Sequence, residues 1–367
     1  MATPAIRLRP ERFWPRLARW LGIAGAALVA AVAVAGAGGK LTDVLDTPPP
    51  MRATAARSTY TGIAASGSTL IAVGPRGMIL RSSDSGANWQ QVTAPVSADL
   101  SSVRFSGPDT VWVVGHDAVI LKSVDRGATW TRALDGRVLL KTMQQAALGN
   151  ARLAKEVEKT MAQSATANVW PSALLDLMFL DANRGFAVGA FGLLLATTDG
   201  GKTWQPWMDH ADNERQFHLY AINGDGPRPY IAGEQGLVLR LDEAGQTFVR
   251  SETSYNGSFF GVATAGSQVL AYGLRGSAFL SVDEGRNWRR IDTGTDANIV
   301  GAGMQASGLW LATQKGEILA GELSATKLGV AASAPGADLY GAVAIDAGRI
   351  AAARLNGVST IAVRLPQ

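Results

Sequence analysis

Four aspartates recur in one local setting, and a repeated carboxylate is the first residue to weigh for acid–base or metal chemistry. The octet Ser82-Ser83-Asp84-Ser85-Gly86-Ala87-Asn88-Trp89 returns at 123–130, 197–204 and 281–288 as S/T-x-D-x-G-x-N/T-W. Asp84, Gly86 and Trp89 therefore correspond to Asp125, Gly127 and Trp130, to Asp199, Gly201 and Trp204, and to Asp283, Gly285 and Trp288. A worn copy reads Glu243-Ala244-Gly245-Gln246-Thr247-Phe248. Each carboxylate is expected to accept backbone N–H groups inside a turn, with the glycine at positive φ and the tryptophan packed inward. Glycosidase chemistry would need two facing carboxylates, and acids spread over separate repeats do not converge. The role expected of the set is structural.

The other reactive residue types are sparse. The three histidines, His116, His210 and His218, lack metal-ligand spacing, so no metal is expected. There is no cysteine, which excludes a disulfide framework, a thiolate site, a cysteine nucleophile and a lipid-bearing cysteine. Turns of the form G-x-x-G recur, but no helix follows them, so they are not phosphate loops. No catalytic residue and no cofactor is expected.

The chain has 367 residues and a formal net charge of +4. That charge is unevenly placed. Residues 1–40 hold six cations (Arg7, Arg9, Arg12, Arg16, Arg19, Lys40) and one acid, Glu11, leaving 28 cations and 29 acids for the rest. A near-neutral body argues against nucleic acid as a partner. Residues 1–20 read as a basic cytoplasmic segment. Residues 21–39 read as either a transmembrane signal anchor or a cleaved signal peptide, with small-x-small sites at Ala33-Val34-Ala35 and Ala35-Gly36-Ala37. Residues 40–50, with Pro48-Pro49-Pro50, read as a stiff linker. The body is then exported to the periplasmic side of the cytoplasmic membrane, anchored there or released.

The elements that must position these residues follow from a second landmark. A strand, a G-x-x-G turn and another strand precede each octet, as at Gly74–Gly77, Gly189–Gly192, Gly233–Gly236 and Gly273–Gly276. The last position of the turn falls at 77, 118, 192, 236, 276, 316 and 357. The period is about 40 residues with four short strands each, which specifies propeller blades. The fold class is all-β: one seven-bladed β-propeller over 51–367, with the N-terminal transmembrane or signal helix ahead of it. In the first unit the strands fall near 60–65, 70–73, 78–82 and 89–93. One step is 74 residues long. It marks an insertion at about 135–170, where Leu139, Met143, Ala146, Leu153, Val157 and Met161 recur at helical spacing around Asn150. One or two amphipathic helices are expected between blades 2 and 3. The last unit ends after its third strand, and Met51–Ser58 is positioned to supply the fourth and close the ring.

These octets resemble the BNR or Asp-box repeat, and residues 51–367 resemble the seven-bladed propeller family of the photosystem II stability and assembly factors. Gly189–Gly192, Trp207-Met208-Asp209 and His218-Leu219-Tyr220 resemble a bacterial branch found widely outside phototrophs. The resemblance implies a non-enzymatic docking or assembly factor for a membrane-protein complex. It also implies an exporter of the resistance-nodulation-division class as a neighbour and candidate client. Asp-boxes occur in sialidases too, which usually carry an early [FY]-R-I-P signature; this sequence has none. The alternative reading is a periplasmic carbohydrate-active enzyme or glycan-binding propeller.

Blade topology divides the candidates. Loops joining second to third strands, and blade to blade, share one face; the Asp-boxes lie on the other. The insertion, the segment 207–218 and the G-x-x-G turns therefore share a face, and long loops on a rigid scaffold usually carry function. The docking residues expected there are Arg76, His116, Phe191, Trp207, Asp209, Asn213, Phe217, His218, Glu234, Arg275 and Lys315. Phe191, Trp207 and Phe217 are the aromatic anchors, and Arg76 and Arg275 polar contacts.

Overall fold

The computed structural model describes residues 43–365 except 165, 167 and 337. The basic segment 1–20 and the apolar run 21–39 lie outside the described residues. Among the described residues no helix is long and apolar enough to cross a membrane.

Among the described residues, six four-stranded antiparallel sheets and one three-stranded sheet form the seven blades, each from consecutive strands. Blade 1 holds β1 (Gly62–Ser66), β2 (Thr69–Gly74), β3 (Met78–Ser82) and β4 (Gln90–Val92). Blade 2 holds β5 (Leu100–Phe105), β6 (Val111–Gly115), β7 (Ile120–Ser123) and β8 (Thr131–Leu134). The insertion follows as α1 (Gly136–Ala147) and α2 (Ala151–Gln163). Blade 3 is β9 (Leu174–Phe179), β10 (Gly185–Gly189), β11 (Leu194–Thr197) and β12 (Gln205–Pro206). Blade 4 is β13 (Leu219–Asp225), β14 (Arg228–Gly233), β15 (Val238–Leu241) and β16 (Phe248–Arg250). Blade 5 is β17 (Phe259–Ala265), β18 (Gln268–Gly273), β19 (Ala278–Ser281) and β20 (Arg289–Arg290). Blade 6 is β21 (Ile299–Gln305), β22 (Gly308–Thr313), β23 (Glu317–Glu322) and β24 (Gly329–Ser333). Blade 7 is β25 (Leu339–Asp346), β26 (Arg349–Arg354) and β27 (Gly357–Ala362).

The second strand of each blade is buried on both faces, which is why β2 (TLIAVG) and β6 (VWVVG) read as continuous apolar runs rather than alternating ones. The apolar core lies between blades. Ile71 and Val73 of blade 1 meet Val103, Val111 and Val113 of blade 2 in one cluster. The first strands line a central channel of about 540 Å³.

The G-x-x-G turn has a packing reason. A Cβ on its first glycine would collide with the chain entering the blade, as Gly74 with the Thr59 carbonyl and Gly189 with that of Ala173. Its second glycine has φ near +70° at Gly77, Gly236 and Gly276, against the backbone of the incoming loop. In blade 2 an alanine, Ala118, takes that place at φ 51°.

Two helices form the insertion, split where Asn150 interrupts the apolar stripe. Asn150 caps α2 by accepting from the Arg152 and Leu153 N–H groups, as Asp135 caps α1 through Arg137 and Val138. Leu139, Leu140, Met143, Leu153 and Val157 pack with Trp170, Leu174 and Trp204.

Two segments differ from expectation. Met51–Ser58 does not supply a fourth strand to blade 7; it forms a 3-10 turn at Ala55–Arg57. The preceding prolines offer no N–H to a ladder. Gln91 of β4 then fixes the segment to blade 1, accepting from Arg52 N (2.8 Å) and donating to the Pro50 carbonyl (3.0 Å). The ring closes instead through buried Tyr60, whose N–H donates to the Arg354 carbonyl (3.0 Å), and through Tyr60–Ala353 packing. The second difference is in the proline-rich linker. From Asp43 onward it belongs to the folded body: Leu45 is 1% exposed inside the blade 1–2 core. Arg137 pairs with Asp46 (2.8 Å) and Asp43. The Asp43 carboxyl lies below its ordinary value, chiefly through the Leu45 N–H and then Arg137.

Candidate functional site

The Asp-boxes share one bond set. Asp84 accepts from Asn88 N (2.9 Å), Asn88 Nδ2 (2.7 Å) and Ser82 Oγ (2.7 Å), while Ser82 Oγ accepts from Gly86 N (2.9 Å). Asp125, Asp199 and Asp283 repeat it with Thr129, Thr203 and Asn287. These bonds hold all four carboxyls at about 2. The backbone N–H of Asn88 leads for Asp84, and the partner side chain leads for the other three. Three of the box glycines press on the preceding blade: Gly127 on Ile71, Gly201 on Trp112 and Gly285 on Ser251; Gly86 faces Thr360 of blade 7. The boxes are joints between blades, and their acids face different joints.

The channel offers little for bond-breaking chemistry. Among its lining residues Asp176 is the one carboxylate. It is buried and bound by Arg104 through Nε (2.9 Å) and Nη2 (2.6 Å), by Ser102 Oγ (2.8 Å) and by Ile222 N (3.1 Å). Burial pushes the nearby Tyr272 phenol up to about 12. A glycosidase needs a second carboxyl across from the first, and the lining has none.

The insertion face gathers part of the expected docking set. Phe191 stands 63% exposed at the tip of its turn, with φ 57°, a costly conformation for a bulky residue. Its ring lies 4.8 Å from that of His218, which stacks on Tyr220 (6.0 Å, 12°), which meets Phe260 edge-on (5.6 Å). The four rings form a row from the rim of blade 3 to the channel mouth. Glu234 holds it by accepting from His218 N (2.8 Å), and Phe191 N donates to His218 Nδ1 (3.4 Å). Beside Phe191, a groove of about 330 Å³ runs between α2 and the turn, lined by Glu156, Lys159, Gln163, Trp170 and Gln216. Burial raises the Glu156 carboxyl. Asp209 ties the 207–218 segment to the insertion, accepting from Asn150 Nδ2 (2.6 Å) and facing Arg152 (3.5 Å).

Other members of the set lie elsewhere. Trp207 is not an exposed anchor: it is half-buried at the blade 3–4 junction, stacked on His210 (4.6 Å) and against Phe186 (5.0 Å) and Phe248. Phe217 is likewise half-buried, packed against the blade 3–4 core and partnered by Asn213, whose amide bridges its N–H and carbonyl. These aromatics fill space where 207–218 crosses between blades. Arg76, His116, Arg275 and Lys315 are exposed but belong to blades 1, 2, 5 and 6, so they form no single patch with Phe191. The Arg76 and Arg275 N–H groups donate to Asp99 and Asn298, and Lys315 pairs with Asp296 (2.9 Å). Sequence reasoning missed Tyr220, Phe260, Glu156 and Trp170. Tyr220 was within reach, since two residues beyond His218 on a strand puts it on the same side.

The fold and the crowded face now have relatives to be set against. A family model described as photosynthesis system II assembly factor YCF48 matches residues 66–168 and 154–315. The chain belongs to this family. The photosystem II assembly lipoprotein Ycf48 of Synechococcus sp. (strain CC9902) is 30% identical over 118 residues, 31% of this chain and 35% of that protein. The chloroplastic photosystem II stability/assembly factor HCF136 of Arabidopsis thaliana is 28% identical over 123 residues, 32% of this chain and 30% of that one. The chain thus spans about a third of the length of these curated relatives. A solved structure of YCF48 bound to D1 peptide shares the fold, with a TM-score of 0.61 at 13% identity over 86% of this chain and 96% of that one.

Proposed function

We propose that this YCF48-family propeller is a non-enzymatic assembly factor that docks a membrane-protein complex on its insertion face. The observation that carries the reading is Phe191: an exposed aromatic at the tip of a turn whose equivalents carry Arg76, Gln235 and Arg275 at the same φ, standing beside a groove and at the outer end of a row of rings. An apolar anchor beside a groove is what a protein partner's hot spot requires. Curated relatives named for photosystem II assembly, and a YCF48 structure holding a D1 peptide, give precedent for a polypeptide client. The saturated Asp176 speaks against the glycosidase alternative. The exporter link has no counterpart among the relatives and is not part of the proposal.

The proposed location is the outer side of the cytoplasmic membrane. The Synechococcus relative is named as a lipoprotein, and this sequence has no cysteine to carry a lipid. Attachment would therefore fall to the apolar run 21–39, which would raise the effective concentration of a membrane client.

A photo-crosslinking amino acid placed at Phe191, in intact cells, tests the proposal. A specific membrane protein should be captured there and not from Val282, which is exposed on an Asp-box turn of the opposite face. Phe191→Ala should fold normally and weaken binding by about thirtyfold, about 2 kcal/mol for a hot spot. Equal capture from both faces would remove the assignment.

A further inference from the structure

The seventh sheet stops one strand short. Its outermost strand, β27, pairs with β26 on one side and, among the described residues, has no strand on the other. The register continues into a Val363 N to Gly348 O bond, which sets Ile361, Ser359 and Gly357 as the residues bonded to β26. The N–H and C=O groups of Val358, Thr360 and Ala362 therefore point outward, and no hydrogen bond takes them among the described residues. The neighbouring blades reach one strand further, with β24 in blade 6 and β4 in blade 1. β27 thus lies at the back of a recess one strand deep, about 4.8 Å.

Other outer strands carry the usual guards against adding a strand. β4 is three residues long, β8 has Arg132, β12 ends in Pro206, β16 has Arg250, β20 is two arginines, and β24 is bulged near Ala331. β27, Gly357-Val358-Ser359-Thr360-Ile361-Ala362, has no charge, no proline and no bulge.

We propose that the recess takes one extended segment of a partner polypeptide as a fourth strand, antiparallel to β27, with an acidic residue at its C-terminal end. A second copy of this chain does not fit, because its own propeller body would meet β24 and β4 before its edge reached β27. The chain's own Met51–Ser58 is tied to blade 1 through Gln91, and its Ala55–Arg57 turn rests only on the Gly357 end of β27, without a ladder bond to Val358, Thr360 or Ala362. The charge preference comes from the mouth of the recess. The Ala56 carbonyl and the Arg57 backbone lie against Gly357, which puts Arg57 at the turn end of β27. Arg57 is exposed and makes no ion pair among the described residues. An antiparallel strand presents its C-terminal end there. Main-chain bonds supply affinity in this mode, and alternate side chains supply selectivity.

The probe is an eight-residue peptide of alternating threonine and valine, with lysine first and glutamate last, added to the full chain in detergent. Amide hydrogen exchange should slow at Val358, Thr360 and Ala362 on binding. A peptide with the end charges exchanged should bind on the order of tenfold more weakly. Thr360→Pro removes an outward N–H that the fold does not use, so it should leave the melting temperature within a few degrees and abolish binding. Should that variant fail to fold, Arg57→Glu, outside the ladder, should invert the preference between the two peptides. Three results would overturn the proposal: no protection at those amides; protection already present without peptide, which would mean the chain fills its own recess; or a concentration-dependent dimer abolished by Thr360→Pro.

Discussion

Gly276→Ala is the sharpest test of how one blade admits the next. Gly276 and Gly266 lie in blade 5 at φ +69° and +59°. Alanine at either position meets the same backbone penalty, about 1–2 kcal/mol, partly offset by a less free unfolded chain. A net loss near 1 kcal/mol is expected from that source at both. Their surroundings differ. A Cβ on Gly266 meets nothing within 4 Å, whereas one on Gly276 would collide with the Thr295 carbonyl. An ordinary C···O contact of about 3.3 Å requires the 293–296 loop to retreat by about 1 Å. That loop is held by Thr293 Oγ1 donating to the Gly276 carbonyl (2.7 Å). Overpacking of this kind costs about 1–3 kcal/mol. Gly276→Ala should therefore lose about 2–4 kcal/mol, and Gly266→Ala about 1 kcal/mol. Urea unfolding followed by tryptophan fluorescence would measure both, comparing midpoints at unchanged slope. Equal losses, or a crystal structure of Gly276→Ala with the loop unmoved, would refute the argument. Ala118 shows that alanine can hold a positive φ in such a turn, so the collision is the discriminating element.

Leu45→Ala should destabilise the propeller by about 2–4 kcal/mol in the same assay, since the side chain fills the blade 1–2 core; a loose linker would show no change. Asn150→Ala should lose about 1 kcal/mol through the α2 cap and increase amide exchange in the first turn of α2 and around Asp209. Stability should fall with acid in a defined window. The Asp-box carboxyls at about 2 lie below the ordinary 3.8, so their contribution is complete above about pH 4–5 and is lost as pH falls toward 2. Urea midpoints between pH 5 and 2.5 should track this loss, and Asp283→Asn should flatten the slope; an unchanged slope would contradict the bonding described.

Much of the ring was legible because a propeller writes its period into the chain. The seven turn positions, the four-strand units and the helical stripe around Asn150 each follow from local spacing. What spacing does not encode is which residues from different repeats become neighbours. Phe191, His218 and Glu234 meet because blades 3 and 4 are adjacent and their loops lean together, whereas Arg76 and Arg275, with equivalent turns, sit three blades apart round the ring. Residue type misled at Trp207 and Phe217: an aromatic in a long polar loop reads as exposed, yet the loop crosses a junction that needed filling. The closing strand was misassigned for a related reason. Counting strands shows that one is missing, but the side chain of Gln91 decides where Met51–Ser58 is tied.

Because every sheet is built from consecutive strands, the order of synthesis is also the order in which sheets can complete. A ring whose last sheet borrows a strand from the start must keep that strand unpaired until the end of translation. Here blade 1 has its four strands once residue 92 has emerged, and each later blade can dock on a finished neighbour. Within the sheets, pairing partners stay close in sequence, which favours rapid and ordered folding. The slow step is then the meeting of blade 7 with blade 1, a contact of high sequence separation made by Tyr60, Arg354 and Ala353 rather than by a shared ladder. Partially synthesised chains should thus accumulate as open arcs of complete blades, with the Tyr60 surface exposed until the last blade arrives.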